Sequence, residues 1–128
     1  MWVPLTDENL IERYKKHFVS ENKVPKHIVS LLEQLQKKSY ADKLAVVTSL
    51  GHLRLTTALS YVPVDEESKH GCINVTEFVD AGKAVINLSF TAGTERQASA
   101  GRRCAPEEAA DYIDLYVMRL LLEKSDKL

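Results

Sequence analysis

The sequence predicts an α+β fold ordered ααββββα. A helix hairpin leads into a four-stranded antiparallel sheet, and a long C-terminal helix lies across that sheet. Three observations point there. Apolar residues recur at helical spacing before residue 38 and again after residue 106, they alternate with polar ones from 53 to 61, and Asp80-Ala81-Gly82 separates two valine-bearing runs. Period 3.6 marks a helix with one buried stripe and period two marks a half-buried strand. A short glycine-bearing break between two strand-like runs marks a hairpin.

The first helix starts at Thr6, whose hydroxyl suits an N-cap, with Asp7 and Glu8 placed to complement the positive end of the helix dipole. Leu5 and Leu10 hold the positions of a hydrophobic staple, and Leu10, Ile11, Tyr14 and Phe18 continue the inward stripe. The polar residues 20–23 break it. A second helix begins near Asn22 or Pro25, since proline is tolerated in a first turn, and Ile28, Leu31, Leu32 and Leu35 form its apolar side. So short a connection favours an antiparallel helix hairpin.

Residues 44–50, rich in valine and threonine, read as a strand, although a helix over 41–50 competes. After Gly51, residues Leu53, Leu55, Thr57, Leu59 and Tyr61 alternate with polar neighbours. Residues 63–71 form a charged loop. Strands over 72–79 and 83–90 then flank the three-residue turn, pairing Val79 with Lys83. That register puts Phe78, Thr76 and Asn74 beside Ala84, Ile86, Leu88 and Phe90 on the core face. It leaves Ile73, Val75, Glu77, Val79, Val85 and Asn87 on the other, so both faces look apolar enough to need cover. Residues 91–104 read as a long arginine-bearing loop, of the kind that is either functional or disordered.

The last helix, over residues 106–124, opens on Pro106, Glu107 and Glu108. Ile113, Tyr116, Val117, Leu120 and Leu121 make a broad inner face. Beyond Asp114 the apolar surface resumes with Leu115, Met118 and Leu122, and Asp114, Arg119 and Glu123 interrupt it. A helix apolar on nearly all sides must be covered from more than one direction. The N-terminal hairpin, a second copy of the chain or another protein would each serve.

The 128 residues fit one α+β domain spanning 1–128. With 17 basic against 18 acidic side chains the net charge is −1, without the basic excess of a phosphate-backbone binder, so nucleic acid is not an expected partner. The start, Met1-Trp2-Val3-Pro4, lacks the pattern of a secretory signal, and no run is long and apolar enough for a membrane span. The expectation is a soluble cytoplasmic protein with no membrane partner, with Cys72 and Cys104 as free thiols.

Few residues suggest chemistry. Arg96, Arg102 and Arg103 fall in the long loop, the last two just before a helix N-terminus, where backbone N–H groups attract a phosphate or carboxylate. They serve equally well as surface partners of Glu95, Glu107 or Glu108. Asp114 and Glu77 are acids among apolar neighbours: each is either a perturbed carboxyl in a pocket or one half of an ion pair, Arg54 being a candidate partner of Asp114. Cys104, close to Arg102, Arg103 and a helix start, is a candidate for a lowered thiol pKa. His17, His27, His52 and His70 share no metal-ligand spacing, and neither a metal nor a cofactor is expected. No catalytic set emerges.

Three functions follow, in order. The first is a non-catalytic protein-interaction module, homodimeric through the last helix, at Leu115, Met118 and Leu122, or through the free face of the sheet. The second is a binder of a small anionic ligand, with its pocket between the sheet and the last helix. The third is an enzyme of unfamiliar type using Asp114, Glu77 or a histidine as acid or base.

Overall fold

A computed structural model of the chain describes residues 2–16, 26–49, 52–60, 70–91 and 100–126. Among the described residues it is a mixed α+β structure with three helices and one antiparallel sheet, and the sheet has six strands where four are expected. In order the elements are β1 (Trp2–Pro4), α1 (Leu10–Lys16), α2 (Lys26–Gln36), β2 (Ala45–Ser49), β3 (His52–Thr56), β4 (Cys72–Asp80), β5 (Lys83–Thr91), β6 (Ala100–Cys104) and α3 (Ala109–Asp126). The strands lie side by side in chain order, every pair antiparallel.

The two additional strands are the sheet's edges. β1 is three residues long and ends on Pro4, too short to show a period of two and closed by a residue that cannot donate to a ladder. β6 occupies the end of the expected 91–104 loop. Its sequence Ala-Gly-Arg-Arg-Cys carries no apolar alternation, and its pairing with β5 holds it in the sheet. Charges on an edge strand also discourage pairing with another chain.

The two expected helices are present and pair with each other, while Phe18, the connection and the expected opening near Asn22 or Pro25 lie outside the described residues. α1 begins at Leu10, not after Thr6: the Asp7 carboxylate accepts the Asn9 N–H at 2.8 Å and the Asp7 carbonyl accepts the Leu10 N–H. Leu5 and Leu10 are both fully buried. Along α2, Ile28, Leu31, Leu32 and Leu35 are buried together with Val29. At its end the Gln36 amide donates to the Leu5 and Asp7 carbonyls at 3.1 and 3.0 Å. The end of α2 therefore meets the start of α1, and the two run antiparallel.

Residues 41–49 divide between the competing readings in favour of the strand: one 3-10 turn, Ala41–Lys43, precedes β2, and Leu50 lies outside the described residues. β3 stops at Thr56, before the expected Tyr61. The Thr56 hydroxyl donates to the Gly71 carbonyl and accepts the Ala58 N–H, a side-chain turn that competes with the ladder. The Trp2 indole N–H then donates to the Ala58 carbonyl at 2.9 Å. Leu59 lies beyond the strand and is exposed.

The β4–β5 hairpin is shifted by one residue from expectation. Asp80 pairs with Lys83, leaving Ala81 and Gly82 as a two-residue loop. Their φ angles are 52° and 79°, and a loop with both central residues at positive φ matches the right-handed strand twist. A one-residue slip moves a whole strand's side chains to the other face. Ile73, Val75, Glu77 and Val79 thus join Ala84, Ile86, Leu88 and Phe90, and the expected second apolar face of this hairpin shrinks to the half-buried pair Phe78 and Val85. Asn74, Thr76, Asn87 and Ser89 occupy the opposite side, half-buried.

The core lies between this sheet face and the helices. Val46, Leu53, Leu55, Ile73, Val75, Ile86, Leu88 and Phe90 meet Ile28, Leu32 and Leu35 of α2 and Ile113, Val117 and Leu120 of α3 in one buried cluster. A 3-10 turn, Pro106–Glu108, leads into α3. Among the described residues, no helix is long and apolar enough to cross a membrane.

Candidate functional site

The C-terminal helix has two sides of opposite character. At about 100° per residue, Ile113, Val117 and Leu120 fall on one side and Leu115, Met118 and Leu122 on the other. The first three are at most 2% exposed, while Leu115, Met118 and Leu122 are 62, 62 and 65% exposed. The expectation that the N-terminal hairpin might hide this outer stripe is not met. α2 meets the inner face of α3 in the core cluster, the residues just after α2 reach its flank at Asp114, and the outer stripe points away from both. Asp111 and Arg119, both exposed, border it.

Asp114 is half-buried and doubly held. The Tyr40 hydroxyl donates to its Oδ1 at 2.5 Å, and the Lys38 Nζ donates to its Oδ2 at 3.0 Å. Burial raises the Tyr40 pKa, and the hydrogen bond to Asp114 adds to it. The partner is not Arg54, which pairs with Asn74 in the sheet and so lies on the face away from α3. Both partners follow α2 in the chain, and their polar, unpatterned setting gave no sign that they meet α3.

Glu77 extends from the core face towards the start of α2. Its Oε1 accepts the His27 backbone N–H at 3.2 Å and lies 4.0 Å from His27 Nε2. The first turn of α2 has no acid of its own, so a strand carboxylate supplies the negative charge its dipole favours. Buried Tyr14 is close enough to feel that charge: desolvation, then Glu77, raises its pKa.

Arg102 and Arg103 do not converge. Successive residues of β6 point to opposite faces. Arg102, on the helix side, stacks over the Tyr112 ring at 4.3 Å. Contact with the Tyr112 side chain, and then with Tyr116, raises the Arg102 pKa above its ordinary value. Arg103, on the other side, lies over the Phe78 ring at 4.9 Å and 4.0 Å from Asp80. Further along α3, Tyr116 stacks on Phe90, and Arg119 lies over the same Phe90 ring at 4.7 Å. Arg96 falls outside the described residues.

Cys104 departs from the sequence reading. It is buried in the core, and desolvation, then the nearby Glu108, pushes its thiol pKa up; Arg102 opposes them and is outweighed. Cys72 and Cys104 are not joined to each other. They sit on β4 and β6, on opposite faces of the sheet. His17 lies outside the described residues, and His70 is half-buried beside β4. Among the described residues, no three His, Cys, Asp or Glu side chains gather as a metal site would require.

No protein-family model, curated protein or solved structure matches the chain, so its own geometry carries the functional reading.

Proposed function

We propose that this chain is a non-catalytic interaction module that pairs with a second copy of itself through the outer face of α3. The observation that carries this reading is the spacing of Leu115, Met118 and Leu122, a continuous stripe more than three-fifths exposed at every position. An isologous contact uses the same patch on both subunits, so one such stripe per chain is enough.

Magnitudes set the expected strength. Covering each already part-shielded side chain is worth about 1–2 kcal/mol, scaled from the full-burial value. Six side chains in a pair then bring about 6–12 kcal/mol, against an association cost of about 4–15 kcal/mol. A standard interface also buries about 800 Å² per partner, so the rim at Asp111 and Arg119 must contribute. With that rim contribution the expected result is a weak, reversible dimer, at best half-formed near micromolar concentration.

Sedimentation velocity over a concentration series tests it. The expected result is a monomer–dimer shift that Met118→Asp with Leu122→Asp abolishes while the circular dichroism stays unchanged. A wild-type chain monomeric up to several hundred micromolar overturns the pairing.

A second reading, binding of a small anionic ligand, draws on Arg102. The space between α3 and the sheet is filled by core side chains, so an anion would sit at its β6 edge, against the exposed guanidinium stacked on Tyr112. Thermal stabilisation by phosphate or citrate that Arg102→Ala removes supports it, and an equal effect on both chains counts against it.

A further inference from the structure

We draw no further inference here: the strongest candidate, the half-buried polar face of β4 and β5 opposite the helices, carrying Asn74, Thr76, Asn87 and Ser89, has nothing in the structure to show what covers it.

Discussion

The Tyr40 hydroxyl donates to Asp114 Oδ1 at 2.5 Å and so fixes the chain after α2 to the flank of α3, 74 residues away in sequence. A hydrogen bond to a charged group contributes about 1.5–3 kcal/mol when well buried, and partial exposure reduces it to about 1 kcal/mol. Tyr40→Phe keeps the ring's packing and loses only this bond, so urea unfolding should show a loss of about 1 kcal/mol. Lys38→Ala removes a partly exposed ion pair and should cost under about 1 kcal/mol. Equal losses from both would show that the hydroxyl is not the stronger tie.

Two tyrosines set an alkaline limit. In the folded chain Tyr14 and Tyr40 both titrate above the usual phenol range, chiefly through burial. The unfolded chain therefore releases these two protons first. Their contribution to stability is complete below pH about 10 and is lost as pH rises from there through the folded pKa values. The unfolding midpoint should fall above pH 10. Replacing Tyr40 by Phe should make that fall shallower, and an unchanged slope would remove Tyr40 from the linkage.

Turn geometry gives a prediction of opposite sign at two adjacent residues. Ala81 has a φ of 52°, where a side chain costs about 1 kcal/mol or more. Ala81→Asn suits the left-handed region and should stabilise the chain by about 0.5–1 kcal/mol. Gly82 has open space around its Cβ position but a φ of 79°, so Gly82→Ala should cost about 1 kcal/mol through backbone strain alone. Thermal melts of the two variants should move in opposite directions. If both fall, the hairpin does not hold the two-residue loop.

This turn also explains how far the fold was legible in the sequence. Elements with a strong apolar period stood out: Ile28 to Leu35 on α2, Ile113 to Leu120 on α3, and Leu53 with Leu55 on β3 all mark buried faces. Register was not legible, because Asp80-Ala81-Gly82 accommodates either loop length and valines flank it on both sides. One residue's difference then misassigned β4's faces. Strands without apolar alternation were invisible: β1 is cut short by Pro4, and β6 exists through pairing with β5. Long-range polar contacts failed for a related reason. Nothing local to Asp114 names Lys38 or Tyr40, and adjacent Arg102 and Arg103 look like one basic cluster until β6 sends them to opposite faces.

Glu77 links the sheet to α2, and its value is that of a charge at a helix start, about 0.3–1 kcal/mol. Glu77→Gln keeps an acceptor for the His27 N–H and removes the charge, so the loss should stay in the lower half of that range. The same change removes the carboxylate that raises the Tyr14 pKa, so Tyr14 should titrate lower in the variant. Ultraviolet titration of the phenols reads that shift. Its absence would show that burial alone sets Tyr14.

The two sides of α3 should separate stability from association. Leu120 is 2% exposed against the sheet, and truncating a buried leucine costs about 2–5 kcal/mol through lost burial and the cavity left behind. Leu120→Ala should therefore lower the unfolding midpoint strongly. Leu115 and Leu122 are more than three-fifths exposed, and surface replacements usually change stability by less than about 0.5 kcal/mol. In dilute solution Leu115→Gln with Leu122→Gln should leave the unfolding midpoint of the monomer nearly unchanged. At concentrations where copies meet, mass action stabilises the wild-type chain and not the variant, so only the wild-type midpoint should rise with concentration. A midpoint independent of concentration in both chains would mean that the outer stripe does not self-associate. A large dilute-solution loss in the variant would mean that these leucines are held within their own chain.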